Sequence, residues 1–298
     1  MKKAIIDLGT NTFNLLIATV EASGFSIIES DRIAVSIGQG GINKGIITNE
    51  AIQRALIALK QFKTRCDEQQ VESIRAIGTS AIRDAINQQE FCKAVLEHTN
   101  INVEIINGEV EADLIYKGVL WSYDFVEPAV IMDIGGGSTE FIFANHTGVF
   151  DLVSLNIGVA RIADLMDYSD PLTTEEVDFI EKWLDIQSNG FFDLKTAPKL
   201  IGASGSFETF YELQQEHAFP DAIQTYELPF ESLVALLDKL IYSTENDRYN
   251  NKWIAKIRKK MVPIAAVKVR WIIQKLNINE VFVSSCSLKE GALMDSTL

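Results

Sequence analysis

The chain is poor in the residues on which several common functions depend. Its three cysteines, Cys66, Cys92 and Cys286, are an odd count without C-x-x-C spacing. They argue against a disulfide framework or a cysteine zinc site and read as buried thiols. The three histidines, His98, His146 and His217, form no H-x-x-x-H pair, so histidine metal ligation is not expected. Basic residues are outnumbered, 27 against 41 acidic ones, for a formal charge of −14. That balance disfavours binding to nucleic-acid polymers, which draws on a broad basic surface. A polyanionic ligand would need a divalent metal and local basic residues to offset the repulsion. No apolar run approaches the ~20 residues of a membrane span, and the opening Met1-Lys2-Lys3-Ala4-Ile5-Ile6-Asp7 meets an acid too soon for a signal peptide. The expectation is a cytoplasmic protein with no membrane partner.

What is present suits two closely joined domains. The chain has 298 residues, of which 47% are apolar and 23% charged, an ordinary globular balance without a low-complexity linker. Val130 to Asp133, then Ile134-Gly135-Gly136-Gly137-Ser138-Thr139, then Glu140 to Phe143 read as strand, phosphate-sized loop and strand. Three successive glycines leave backbone N–H groups free to approach an anion. The same order opens the chain: Ala4-Ile5-Ile6-Asp7, then Leu8-Gly9-Thr10-Asn11-Thr12, then Phe13 to Ala18. Asp7 and Asp133 are equivalent positions. Both copies continue through a turn, Ala22-Ser23-Gly24 or Asn145-His146-Thr147-Gly148, into a third strand, so the meander is duplicated.

Helices and strands alternate after each meander. Thr48 caps a helix over 49–66 whose apolar positions Ile52, Leu56, Leu59 and Phe62 recur at helical spacing. Residues 73–77 and 103–106 read as strands, and Asn87 with Glu90 resembles a capping box. A helix follows from about Glu109 to Val119. In the second half, Thr173 with Glu176 caps a helix, 199–201 and 281–283 read as strands, and 207–215, 232–243 and 263–275 read as helices. The layout is α/β. The basic run Lys256, Arg258, Lys259, Lys260, Lys268 and Arg270 reads as a solvated helix face, with guidance of a polyanion as the alternative.

Two halves that each present an acid and a phosphate loop to a common cleft resemble the actin-like and sugar-kinase superfamily. Within it, Asp7 to Phe13, Gly78 to Ala85, Asn107-Gly108 to Ala112, Asp133 to Glu140, Gly202 to Ser206 and Leu288 to Gly291 resemble the exopolyphosphatase and guanosine pentaphosphate phosphohydrolase family. The resemblance implies two actin-like, ribonuclease H-like domains, 1–120 and 121–298, each a mixed sheet with helices, around a central cleft. It implies hydrolysis of a terminal phosphoanhydride of inorganic polyphosphate or of guanosine pentaphosphate, and it suggests a homodimer. Long exopolyphosphatases carry a further C-terminal helical region that this sequence does not include, so processive grip on very long polyphosphate is not expected, and short polyphosphate and a nucleotide pentaphosphate both stay open. A non-catalytic sensor of an alarmone or polyphosphate and an ATP-driven kinase or chaperone are the rival classes.

The resemblance also implies roles for residues. Phosphoryl transfer needs neutralised charge and a water held in line by an acceptor. Glu111 stands where the family carries its proposed catalytic glutamate, and Glu140 at its other acidic position. Glu109 is a second carboxylate near the first, so either of the pair could face the cleft, and Glu111 could instead be a first-turn glutamate favoured by the helix dipole. Asp7 and Asp133 look like Mg²⁺ carboxylates, or aspartates capping their own turns. Gly9, Thr10, Asn11, Thr12, Gly135, Gly136, Gly137, Ser138 and Thr139 would bind phosphate. Arg83 would add a planar fork, with lesser claims for Arg161 and Arg258.

Overall fold

The computed structural model describes residues 1–22 and 24–295. The first half runs β1 (Lys2–Leu8), β2 (Thr12–Glu21), β3 (Gly24–Ala34), α1 (Asn49–Glu68), β4 (Ser73–Gly78), α2 (Ser80–Arg83), α3 (Gln88–Thr99), β5 (Val103–Ile105) and α4 (Gly108–Val119). The second half runs β6 (Ala129–Ile134), β7 (Thr139–Asn145), β8 (Gly148–Leu155), α5 (Val159–Ala163), α6 (Thr174–Ser188), β9 (Lys199–Ala203) and α7 (Gly205–Gln215). It ends with β10 (Thr225–Leu228), α8 (Phe230–Ile241), α9 (Glu245–Asn250), α10 (Val262–Leu276), β11 (Glu280–Ser284) and α11 (Leu288–Met294).

The duplication is topological. One sheet has the order β3-β2-β1-β4-β5 and the other β8-β7-β6-β9-β11, with β10 added on the outer edge. In each, an antiparallel meander is joined to a parallel strand, β1 to β4 and β6 to β9. The register repeats too: Asp7 pairs with Asn14, and Asp133 pairs with Glu140.

Strand alternation then assigns every side chain to a layer. Ala4, Ile6 and Leu8 enter a core with α1 and α3, whereas Ile5 points to the opposite face. Val130, Met132 and Ile134 enter a core with α6, α8 and α10, whereas Ala129 and Ile131 point the other way. Those opposite faces share a third core, filled by Ala112, Leu114 and Ile115 of α4 and Leu288, Ala292 and Leu293 of α11. The α4 and α11 backbones touch at two glycines. A Cβ on Gly118 would lie 1.9 Å from the Ser287 carbonyl oxygen, and one on Gly291 1.8 Å from that of Leu114. The acids Asp7, Asp133 and Glu140 lie on the third-core face, at the strand ends where α/β sheets carry their ligand crevices.

Local signals hold at several caps. Thr48 Oγ1 accepts from the Ala51 N–H, and Thr173 with Glu176 forms a reciprocal capping box. Asn87 departs from expectation: α3 has no side-chain cap, because the Asn87 amide both accepts from and donates to the backbone of Ile47, at 2.9 Å each way. Tying down the loop before α1 takes precedence over capping α3. The reading of the basic run as a solvated face also fails at Lys268, which is 0% exposed. It lies at helical spacing from the buried Ile264, Ala265, Trp271 and Ile272. Ser23 of the first hairpin turn lies outside the described residues; the flanking Glu21 and Gly24 are paired.

Candidate active site

The two loops meet at the end of the third core. A Cβ on Gly137 would lie 2.5 Å from Ser80 Oγ and 2.7 Å from Thr10 Oγ1, so glycine is what lets the second loop close on the first lobe. The cleft between them encloses about 400 Å³ and is lined by Asp7, Asp133, Glu111, Glu140 and both loops.

In each loop, neighbouring backbone N–H groups take up carbonyls. In the first, Thr10 O accepts from Gly38 N, and Asn11 O accepts from Val35 N and Ser36 N. In the second, the N-terminal turn of α5 takes the carbonyls of all three glycines: Gly135 O accepts from Val159 N, Gly136 O from Ala160 N, and Gly137 O from Gly158 N. Arg161 Nε adds a 2.8 Å bond to Gly137 O, and its guanidinium pairs with Asp84 of the first lobe. The backbone N–H groups of residues 9–11 and 135–138 donate to no protein atom among the described residues. Free backbone donors grouped in this way have the chemistry to receive an anion.

Each carboxylate accepts a short bond from a neighbouring side chain, and Ser204 and Ser138 also act as donors to Asp133 and Glu140. Asp7 accepts from Asn14 Nδ2 at 2.9 Å, Asp133 from Ser287 Oγ at 2.7 Å, Glu140 from Ser154 Oγ at 2.7 Å, and Glu111 from Arg83 Nη1 at 2.7 Å. Burial dominates their titration. It pushes Asp7 up to about 6 and Asp133 up to about 7, in the second case with help from the Glu140 charge. Glu111 stands well above the usual carboxylate range through burial and the Glu140 charge, against which the Arg83 bond works. Glu140 is raised by burial, against the pull of its serine donors.

Helical phase decides between the neighbouring glutamates. Glu111 shares the buried stripe of α4 with Leu114, Ile115 and Gly118 and is 6% exposed, while Glu109 faces solvent. Glu111 therefore enters the cleft. Of the residues expected to bind phosphate, Gly9 to Thr12 and Gly135 to Ser138 line the cleft; Thr139 and Arg83 do not. Strand alternation sends the Thr139 side chain to the face that holds Phe141, where its hydroxyl donates to Ser138 O. Arg83 reaches the site through its bond to Glu111 and through its charge, which also acts on Glu140. Arg161 braces the second loop from behind, and Arg258 lies in the cleft wall, bonded to Thr209 and Glu208. The sequence reading missed Asn14, Ser287 and Lys268; the duplicated register points to Asn14, and helical spacing points to Lys268.

A metal fits this donor set in one way only. No three His, Cys, Asp or Glu residues converge as a cage among the described residues. Asp7 and Asp133 nevertheless have no ion-pair partner there, and both are oxygen donors beside a phosphate loop. Mg²⁺ bound by one or two carboxylates, with waters and phosphate oxygens completing its shell, matches such a pair.

Comparison with known proteins places the chain in a family. Residues 16–298 match the model of the Ppx/GppA phosphatase family. The bifunctional 3-dehydroquinate synthase/phosphatase of Fusobacterium nucleatum is 34% identical over 230 residues, covering 72% of this chain and 34% of that protein. The guanosine-5'-triphosphate,3'-diphosphate pyrophosphatase of Pseudoalteromonas atlantica is 27% identical over 299 residues, covering 97% of this chain and 57% of that protein. The chain thus spans between about a third and just over half of these relatives' lengths. Among solved structures, an exopolyphosphatase from Cytophaga hutchinsonii superposes with a TM-score of 0.93 at 33% identity, covering 98% of this chain and 96% of that one. The Aquifex aeolicus Ppx/GppA enzyme does so with a TM-score of 0.82 at 26% identity, covering 98% of each chain.

Proposed function

The chain belongs to the Ppx/GppA phosphatase family, and on that premise we propose that it is an exopolyphosphatase-type hydrolase, releasing terminal orthophosphate from inorganic polyphosphate by water attack. The observation that carries this reading is the meeting of two donor-lined loops with the carboxylates of Asp7, Glu111, Asp133 and Glu140 in one cleft of about 400 Å³. The donors suit the phosphates of a chain end. The carboxylates suit activation of water and charge control around it. The two phosphate-binding halves are taken as residues 1–120 and 121–298.

In this mechanism the free N–H groups of residues 9–11 and 135–138 hold the terminal phosphates. Glu111 accepts a proton from the attacking water. Burial and the Glu140 charge raise its affinity for a proton, as a general base requires, while Arg83 opposes that rise and orients the carboxylate. Glu140, fixed by Ser154, orients the water from the other sheet. Asp7 and Asp133 would hold Mg²⁺, which supplies charge neutralisation on the phosphates when bound. A cytoplasmic location accords with three free thiols.

Guanosine pentaphosphate is the second candidate substrate, favoured by the similarity to the Pseudoalteromonas protein. Phosphate release from defined polyphosphates and from guanosine pentaphosphate, with and without Mg²⁺, tests both. Wild type should release orthophosphate and Glu111→Gln should lose at least about a hundredfold in rate. Binding of either ligand without any release would replace the hydrolase by a sensor, and full activity of Glu111→Gln would move the base elsewhere.

A further inference from the structure

Lys268 is a fully buried cation that the mechanism above does not use. It sits on α10 among Ala265, Ala266, Val267 and Val269 of the second-lobe core, with 0% exposure. Burying an ammonium in such surroundings is costly unless charge and hydrogen bonds compensate. Here the compensation comes from the cleft. Its Nζ donates to Thr139 Oγ1, and Glu140 and Asp133 act on it through their charge from the far face of the same sheet. Neither carboxylate lies within ion-pair distance, so the charge is shared with the site and not spent on one partner.

The chain of bonds runs toward the second loop. Lys268 donates to the Thr139 hydroxyl, which donates to the Ser138 carbonyl at 2.9 Å. With the ammonium donating to its oxygen, the hydroxyl is oriented so that its own proton is committed to Ser138 O. This completes the pattern in which α5 already takes the carbonyls of Gly135, Gly136 and Gly137. All four loop carbonyls are thus drawn behind the loop. The first loop has no counterpart: the duplicated register puts Phe13 where the second copy has Thr139. The two loops, alike in backbone, therefore differ in the charge behind them.

We propose that Lys268 is a positioning residue that makes the second loop the stronger phosphate site, by fixing its donors outward through Thr139 and placing a positive charge behind it. The inference deepens the hydrolase reading and rests on it for substrate, though its first test does not require turnover. Burial outweighs the Glu140 and Asp133 charges and leaves the ammonium at about 7; a phosphate anion in the loop would support its protonated form.

The experiment compares wild type with Lys268→Met, an apolar replacement of similar shape, and Lys268→Gln, which keeps a donor for Thr139 Oγ1 without charge. Binding of inorganic phosphate is measured by calorimetry at fixed Mg²⁺, beside thermal unfolding and steady-state kinetics on a short polyphosphate. Both variants should bind phosphate on the order of tenfold more weakly, with KM raised more than kcat is lowered. Lys268→Met should unfold no earlier than wild type, since an apolar side chain suits that core. Wild-type phosphate affinity in either folded variant would overturn the proposal, as would a fall in thermal stability with unchanged affinity, which marks a packing role. Should wild type release no phosphate from any substrate, the hydrolase reading fails while the phosphate titration still decides the role of Lys268.

Discussion

Glu140 stands directly opposite Asp133 in the β6–β7 ladder, where the duplicated position opposite Asp7 holds Asn14. The first lobe answers its aspartate with an amide donor at 2.9 Å. The second answers with another carboxylate, whose charge raises Asp133. One fold copy thus relieves its buried acid, and the other concentrates negative charge where a cation and a phosphate would meet. Glu140→Gln removes the repulsion. At about pH 8 the metal-free protein should gain on the order of 1–3 kcal/mol in urea unfolding, while phosphate release should fall at least about tenfold.

The acid pair sets a pH dependence whose sign follows from its direction. Asp7 and Asp133, ordinarily at 3.8, are held at about 6 and about 7 in the fold. Between about pH 4 and pH 7 the folded chain keeps protons that the unfolded chain has lost, so stability from these groups is present below the unfolded value and is lost as pH rises through the folded ones. Calorimetric Tm of metal-free protein should carry a falling contribution across that window. Added Mg²⁺ should raise Tm more near pH 8 than near pH 5, because the ionised pair binds it. Equal Mg²⁺ effects at both pH values would remove the pair from metal binding.

Arg83 is expected to act on the base and not on the phosphate. Its bond to Glu111 opposes the rise that burial imposes. Arg83→Met should therefore move the acidic limb of the kcat/KM profile to higher pH and lower neutral-pH activity by roughly ten- to a hundredfold. A large rise in KM with an unmoved limb would assign Arg83 to substrate instead.

Closure of the two loops depends on the missing side chain at Gly137. Gly137→Ala puts a methyl 2.5 Å from Ser80 Oγ and 2.7 Å from Thr10 Oγ1. The lobes must separate or the loop must shift, costing about 1–3 kcal/mol. Urea unfolding should show the loss, and small-angle scattering should show a wider cleft if the lobes give way.

The α4–α11 contact should couple stability to catalysis. In Gly291→Ala the added Cβ lies 1.8 Å from the Leu114 carbonyl oxygen, a backbone atom that cannot rotate away. Displacing α4 also displaces Glu111. Loss of at least about 2 kcal/mol together with lower kcat in the folded fraction is expected, with KM less affected.

Patterns carried by neighbours in the chain were visible in the sequence alone. The two strand–loop–strand copies, their glycines and aspartates, the spacing of α1 and the Thr173–Glu176 cap each depend on a few consecutive residues, and strand and helix geometry acts at that range. The α/β layout of two similar halves followed from their order. Tertiary structure decided which faces were buried and what lay behind them. Glu111 was separated from Glu109 by the packing of α4 between the sheets. Thr139 was turned from the cleft by the β7 pleat and by the core beyond it. Asn87 left its helix cap because Ile47, forty positions earlier, came within reach. Lys268 read as one charge in a basic run until α10 was packed against β7, placing its ammonium beneath the loop that opens with Gly135. The cost of burying a charge depends on partners distant in the chain, and those partners are brought together only by the fold.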